Sequence, residues 1–158
     1  MIVSVITISD RAYNGVYEDL SGPEIRNILA SGLHTEGDLE LKGEIIPDEF
    51  DAIITVLEGH KDADIIITTG GTGIGPRDVT PEAVEQWCEK SVPGIAEALR
   101  SMSLGETMSA MLSRGYAGVK DKTLVITLPG SVKAVRSCTT YLVPVLKHAV
   151  SMMAGKGH

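Results

Sequence analysis

The chain has 158 residues, a common size for one domain and enough to bury a substantial core. Hydrophobic residues make up 43% of it, which argues against disorder, and no apolar run approaches the roughly 18 residues that a membrane span needs. The formal net charge of −7 argues against general nucleic-acid binding, so we expect small-molecule partners, with no nucleic acid and no membrane.

Residue usage favours a cytoplasmic protein. Met1 leads directly into β-branched residues, without a basic segment or cleavage site, so we expect no secretory signal. Cys88 and Cys138 fall on apolar helical faces, where buried free thiols are expected. A reducing compartment fits these thiols, and we therefore predict a cytoplasmic localisation.

The first part of the chain begins with a strand and a helix. Residues 2–8, IVSVITI, predict a strand, and Ser9-Asp10-Arg11 follows at its end. Ser21 and Glu24 have capping-box spacing, which predicts that a helix starts there, with Asp19 just before it.

Asp48 stands between a second strand and a second helix. The strand is predicted over residues 41–46 and is less apolar than the first, which places it nearer to an edge. Apolar residues then recur at helical spacing over residues 50–57, which puts Asp48 at the N-cap. From this pattern alone, capping is a sufficient explanation for Asp48.

The stretch over residues 64–82, DIIITTGGTGIGPRDVTPE, is the most informative part of the sequence. It predicts a buried strand, a loop with several glycines, and a helix with Thr80 as N-cap and Pro81 at its first position. Glycines let backbone N–H groups approach a ligand, and a helix N-terminus favours negative charge. We therefore predict a site for an anionic ligand such as phosphate.

Neither familiar phosphate motif fits this loop. A P-loop starting at Gly70 would need Lys at position 76, and a dinucleotide fingerprint starting at Gly71 would need Gly there, but the residue is Pro76. An ordinary glycine-rich turn is the alternative interpretation. The nearby Arg77 and Asp78 favour a binding site.

A second candidate anion site follows the last predicted strand, residues 123–128. This strand ends in Pro129-Gly130-Ser131, and Ser131 is a natural N-cap for the helix that follows. Pro144 is expected to kink or divide that helix.

Alternating strands and helices predict the fold class: α/β, a single three-layer domain over residues 1–158, with a mostly parallel sheet and helices on both faces. Parallel strands end at the same edge, so Ser9–Arg11, Asp48, the glycine loop and the Pro129–Ser131 turn should meet there. Carboxylates beside phosphate-suited turns fit Mg²⁺ held partly by substrate phosphates. Nucleotidyl transfer needs mainly such positioning and charge neutralisation.

Four sequence blocks occur in order along nearly the whole chain: SDR at 9–11, PDE at 47–49, TTGGTG at 68–73 with PRDVTPEA at 76–83, and LPGS at 128–131. In these blocks the chain resembles the molybdopterin adenylyltransferases of molybdenum cofactor biosynthesis, the Mog/MoaB-type family. GGTG alone would be moderately specific, whereas four blocks in order are strongly specific.

The resemblance implies a reaction and a set of site residues. The terminal phosphate of molybdopterin would attack the α-phosphorus of MgATP, giving adenylyl-molybdopterin and pyrophosphate. Asp48 and Asp78 would be the catalytic residues and the Mg²⁺ ligands, and Asp19 would support the site. The remaining roles would be nucleotide binding by Gly70, Gly71, Thr72, Gly73, Ser9 and Asp10, and molybdopterin binding by Pro129, Gly130, Ser131 and Arg77.

The resemblance also implies a homotrimer and leaves room for a molybdenum-insertion enzyme as partner. Two other functions stay open at this point: a non-catalytic molybdopterin-binding or scaffolding domain, and metal-dependent hydrolysis of a nucleotide pyrophosphate. Pyrophosphate release that depends on added molybdopterin distinguishes the transferase from both.

Overall fold

A computed structural model describes residues 1–33 and 37–155, which form one six-stranded sheet with helices on both faces. The strands are β1 (Ile2–Ile8), β2 (Glu40–Ile46), β3 (Ile65–Thr69), β4 (Lys90–Ser91), β5 (Ala117–Lys120) and β6 (Thr123–Leu128). Their order is β2-β1-β3-β6-β5-β4; the first four run parallel, and β5 and β4 each run antiparallel to their neighbour. The predicted fold class is confirmed, as is the edge position of β2.

Within the described residues, six α-helices and a short 3₁₀ helix cover the sheet. The helices are α1 (Asp10–Tyr13), α2 (Ser21–Gly32), α3 (Phe50–Gly59), α4 (Thr80–Trp87), α5 (Pro93–Leu104) and α6 (Val132–Met153), and the 3₁₀ helix is Met108–Leu112. The described part of the chain has no helix that is both long and apolar enough to cross a membrane.

The core has two halves, one on each face of the sheet. Alternate residues of a strand point to opposite faces, so Ile65 and Ile67 pack in one half, with α2, α5 and α6. Ile66 packs in the other half, with α3 and α4. All three isoleucines are fully buried, and each stabilises the fold by roughly 1.5–3 kcal/mol.

The structure corrects the predicted start of α2. Ser21 and Glu24 do not form a capping box; instead, Oδ1 of Asp19 accepts hydrogen bonds from the N–H groups of Ser21 (3.0 Å) and Gly22 (3.1 Å). The Ser21 hydroxyl donates to the carbonyl of Gly130, 2.8 Å away. Asp19 therefore caps α2, and the Ser21 hydroxyl instead binds the loop that follows β6.

Other expectations concern the C-terminal half. Pro144 does not divide α6, which runs through it. Cys138 is a buried free thiol, as expected, whereas Cys88 is a half-buried free thiol that lies just after α4. Over residues 83–120 the sequence predicts two helices, then a short helix and a loop, and the structure also forms β4 and β5 there. The polar loop expected over residues 33–40 and the tail over residues 155–158 lie partly outside the described residues.

Candidate functional site

The loops that follow β1, β2, β3 and β6 come together at the carboxyl edge of the parallel strands. The N–H of Asp10 donates to Oδ2 of Asp48 (2.7 Å), which joins the first two loops. The other two are joined by bonds from the Gly70 N–H to the Leu128 carbonyl (3.1 Å) and from the Thr69 hydroxyl to the Pro129 carbonyl (2.8 Å). The loops therefore meet at one edge, as the parallel sheet requires.

The glycine loop turns sharply at its first two residues. Gly70 and Gly71 have φ values of 103° and 63°, in the left-handed region that favours glycine. A Cβ atom at Gly70 would collide with the Ile8 carbonyl oxygen, and one at Gly71 with the Thr80 hydroxyl. Glycine is thus required at position 70 for the close approach to the end of β1, and at position 71 for the contact with the start of α4.

Asp48 does not cap α3, so the capping interpretation is wrong. Glu49 is the N-cap residue and makes no side-chain capping bond. Asp48 instead pairs with Asp10: each backbone N–H donates to the carboxylate of the other residue, at 2.7 and 3.0 Å. This reciprocal pair fixes a half-buried carboxylate at the site edge without any role in the helix.

Burial raises the pKa of the Asp48 carboxyl, and the negative charges of Asp10 and Asp78 raise it further. Asp10 behaves oppositely, because the guanidinium of Arg77 lowers its pKa through hydrogen bonds to both carboxylate oxygens, at 2.9 and 3.0 Å. The negative charge of Asp10 is therefore balanced by Arg77, whereas that of Asp48 is balanced less fully.

Ser9 and Arg77 both have defined places beside this pair. Ser9 caps α1 by accepting a hydrogen bond from the Ala12 N–H (3.2 Å), and its hydroxyl contacts the Tyr17 hydroxyl (2.9 Å). The resemblance implies that Arg77 binds molybdopterin. In the structure it forms an ion pair with Asp10, and the Glu49 carboxylate is 3.9 Å from its guanidinium. Its place is thus on the Asp48 side of the glycine loop.

Asp78 folds back over the glycine loop. Its Oδ2 accepts a hydrogen bond from the Gly75 N–H (2.8 Å), and a Cβ at Gly73 would lie 2.8 Å from the same oxygen. Residues 1–33 and 37–155 contain no cluster of three or more His, Cys, Asp or Glu side chains that could hold a metal. Asp48 and Asp78, whose negative charges interact, are two carboxylates that a Mg²⁺ ion could use if substrate and water supplied its other ligands.

The start of α4 differs from the prediction by one residue. Val79 is the N-cap and Thr80 is the first helical residue, so Thr80 is not the cap. Its hydroxyl is fully buried and, within the described chain, has no hydrogen-bond partner. Buried hydroxyls normally have a hydrogen-bond partner. This one therefore makes the position beneath the loop, next to Gly71, a polar one.

The second candidate anion site, the Pro129–Ser131 turn, lies against the glycine loop. Ser131 is the N-cap of α6, as predicted, and accepts a hydrogen bond from the Ala134 N–H (3.2 Å). A Cβ atom at Gly130 would lie 3.3 Å from the Cα of Gly70. The Pro129–Ser131 turn and the glycine loop are therefore in direct contact.

A cavity of about 210 Å³ opens beside Ser131, between α5, the 3₁₀ helix and α6. Its apolar lining includes Ala96, Leu99, Ala110 and Ala134. Its polar lining includes Arg100, Ser103, Thr107, Ser109, Ser113 and Ser131. Apolar walls with a few polar groups are typical of small-molecule sites.

Residues 4–148 match a protein family described as probable molybdopterin binding domain. The chain belongs to this family. A molybdopterin adenylyltransferase of Helicobacter pylori (strain ATCC 700392 / 26695) is 42% identical over 157 residues, which cover 97% of this chain and 88% of the relative. The molybdopterin biosynthesis enzyme MoaB of Thermus thermophilus superimposes with a TM-score of 0.88 at 41% identity, over 99% of this chain and 98% of that one.

The molybdopterin-binding family also includes longer proteins. Gephyrin of Dictyostelium discoideum is 40% identical over 168 residues, which cover 98% of this chain but only 23% of gephyrin. All residues to which the sequence assigns a site role, from Ser9 to Ser131, lie inside the matched range.

Two residues of this molybdopterin-binding domain hold the loops together: Asp19, which the resemblance already places in support of the site, and Arg114, to which the sequence assigns no role. Asp19 accepts a hydrogen bond from the Thr7 hydroxyl of β1 (2.7 Å) in addition to capping α2. Arg114 lies in residues 105–120, where the sequence predicts only a short helix and a loop, and it donates to the carbonyl of Gly73 (2.7 Å). Neither contact leaves a local signal, because its partner lies on another part of the chain.

Proposed function

We propose that this chain is a molybdopterin adenylyltransferase. An oxygen of the terminal phosphate of molybdopterin attacks the α-phosphorus of ATP, the bond from that phosphorus to the bridging oxygen breaks, and pyrophosphate leaves. This is the activity for which relatives in Helicobacter pylori and Escherichia coli K12 are named, the latter at 35% identity over 85% of this chain.

The observation that carries the proposal is the contact between the two anion-binding turns. A transfer between two phosphorylated substrates requires both phosphates to be held side by side. The Gly70–Gly73 loop and the Pro129–Ser131 turn touch at Gly70 and Gly130, so a phosphate bound at one turn lies next to a phosphate bound at the other.

Each part of the site then has a task. Backbone N–H groups of Gly71 to Gly73, with Ser9 and Asp10 beside them, hold the nucleotide phosphates. Gly70 shapes the turn, because its own N–H is bonded to the Leu128 carbonyl. Ser131 and its turn hold the molybdopterin phosphate, and the adjoining cavity takes the pterin rings. Asp48 and Asp78 hold Mg²⁺, which neutralises the phosphate charge when it is bound.

The proposed reaction uses no nucleophilic side chain, and the state of the two cysteine thiols is consistent with this. Burial raises the pKa of the Cys88 thiol to about 12 and also raises that of Cys138, so both remain protonated near neutral pH.

We assign the chain to a homotrimer in the cytoplasm and expect a molybdenum-insertion enzyme to use its product. Fused relatives support a link to further steps of the pathway. One is gephyrin, and another is the molybdenum cofactor biosynthesis bifunctional protein of Synechococcus elongatus, of which this chain spans 49%.

The decisive assay is pyrophosphate release from MgATP with and without molybdopterin. The transferase releases pyrophosphate only when molybdopterin is present. Release without molybdopterin would indicate a nucleotide hydrolase, and no release despite tight molybdopterin binding would indicate a scaffolding domain.

Replacing Gly73 by Ala tests the nucleotide side. The new Cβ would lie 2.8 Å from the Asp78 carboxylate, which can move aside at little cost to folding because it is the end of a side chain. We expect affinity for a non-hydrolysable ATP analogue to fall about tenfold, which corresponds to about 1.4 kcal/mol.

Gly59→Ala is the matched control, because a Cβ there meets nothing within 4 Å. Calorimetric titration measures the affinity, and thermal unfolding measures stability. Unchanged ATP-analogue affinity in Gly73→Ala would remove the loop from the nucleotide site.

Replacing Ser131 by Ala tests the molybdopterin side. Loss of the capping hydroxyl should lower the free energy of unfolding by about 1 kcal/mol. We also expect weaker molybdopterin binding, with ATP-analogue affinity retained, because the two phosphates use different turns. If molybdopterin affinity does not change in a calorimetric titration, Ser131 is a helix cap and nothing more.

A further inference from the structure

Arg114 lies between the 3₁₀ helix and β5, and its side chain reaches across to the glycine loop. Its Nε donates to the carbonyl of Gly73 (2.7 Å), its Nη2 to the carbonyl of Asp78 (2.6 Å), and its Nη1 to the Glu82 carboxylate. Its backbone N–H also donates to the carbonyl of Thr72 (2.9 Å). One residue thus holds the loop near its beginning and at its end.

The segment that Arg114 holds determines where the Asp78 carboxylate lies. The Asp78 N–H donates to the Gly75 carbonyl (3.1 Å), and the Asp78 carboxylate accepts from the Gly75 N–H (2.8 Å). The same carboxylate packs against Gly73. Movement of the Gly73 or Asp78 backbone would therefore shift this carboxylate relative to Asp48.

We infer that Arg114 is a positioning residue for the nucleotide: it fixes the glycine loop and the Asp78 carboxylate in the arrangement that receives the phosphates. The inference rests on the proposed function. Arginine suits this task because its rigid planar fork directs donors to several separate acceptors. Lysine presents all its donors from one nitrogen atom and cannot reproduce the three side-chain contacts.

Arg114→Lys is therefore the test variant, because it keeps the charge and loses the geometry. Arg26→Lys is the matched control, since Arg26 lies against Gly43 in the middle of β2, away from the carboxyl edge. Amide hydrogen exchange, read by mass spectrometry over residues 72–78, reports the loop without any ligand. Calorimetry with a non-hydrolysable ATP analogue reports nucleotide binding.

We expect exchange over residues 72–78 to become about tenfold faster in Arg114→Lys, while the central strands stay protected. ATP-analogue affinity should fall about tenfold, and kcat/KM for ATP should fall roughly 10²-fold, the scale of a small misplacement at a reacting centre. Glu82→Gln should retain most of the affinity, because the bonds from Arg114 to the Gly73 and Asp78 carbonyls remain.

Wild-type exchange and affinity in Arg114→Lys would overturn the inference, because charge alone would then suffice. A uniform rise in exchange along the whole chain would also overturn it, by assigning Arg114 to general stability. If the wild-type protein binds no ATP analogue, the proposed function fails, and the exchange measurement alone decides whether Arg114 fixes the loop.

Discussion

Asp48→Asn is expected to give a folded protein whose turnover is lower by roughly 10²–10³, the scale seen when one preorganised electrostatic group is removed. Asn can still accept the hydrogen bond that the Asp10 N–H now donates to Asp48, so the loop geometry is retained. It has no negative charge and holds Mg²⁺ poorly. Molybdopterin affinity should survive, because the pterin phosphate is assigned to the Ser131 turn.

Stability provides the internal control for this variant. The pKa of Asp48 is raised in the folded protein, so the folded state keeps its proton to a higher pH than the unfolded chain does. Ionisation of Asp48 therefore lowers stability as the pH rises through the window between the two pKa values. Asp48→Asn removes this loss and should be at least as stable as the wild type at neutral pH.

Asp62→Asn is the matched control, since Asp62 is exposed and lies ahead of β3, at the opposite end of that strand from Gly70. It should keep wild-type turnover. Normal pyrophosphate release by Asp48→Asn would restrict Asp48 to the role of bonding the Asp10 backbone.

Asp78→Asn is expected to lower turnover by a similar factor, roughly 10²–10³, because it removes the other carboxylate from the same metal. The double variant should lose less than the two losses combined. Groups that act on one ion are not additive, since most of the benefit disappears with the first substitution. Steady-state kinetics over a range of Mg²⁺ concentrations measures the loss of turnover in each variant. Full additivity of the two losses would indicate that the two carboxylates do not act on the same metal.

Much of the fold could be predicted because its signals are local. The β-branched runs over Ile2–Ile8, Ile65–Thr69 and Thr123–Leu128 mark three buried strands, each followed by a turn. Once those strands are parallel, their ends must share one edge. The meeting of Asp48, the glycine loop and the Ser131 turn then needs no further information.

The contacts that shape the site could not be predicted, because each joins residues far apart in sequence. Asp48 bonds Asp10, 38 positions away, and so is not the cap that its spacing before α3 suggests. Arg114 reaches Gly73 across 41 positions. Both Asp19 and Ser21 are possible caps for α2 on sequence grounds. Asp19 takes this role because the Ser21 hydroxyl donates to the Gly130 carbonyl, a contact that the local sequence does not reveal.

Strands β4 and β5 escaped prediction for a different reason. β4 has 2 residues and β5 has 4, with Gly118 inside β5, so neither shows a period-two pattern long enough to recognise. Gly118 is needed there because a Cβ atom would lie 2.8 Å from Cβ of Cys88. This packing lets the antiparallel strands close the sheet beside β6.

Transfer of label from ATP labelled at the α-phosphate is the most direct test of the central claim, that two phosphorylated substrates meet across Gly70 and Gly130. Incubation with molybdopterin and Mg²⁺ should move the label onto molybdopterin, in an amount equal to the pyrophosphate released. Ser131→Ala and Asp48→Asn should both reduce this transfer. Label found only in free AMP, with molybdopterin unlabelled, would contradict the account, because water and not the pterin phosphate would then be the attacking group.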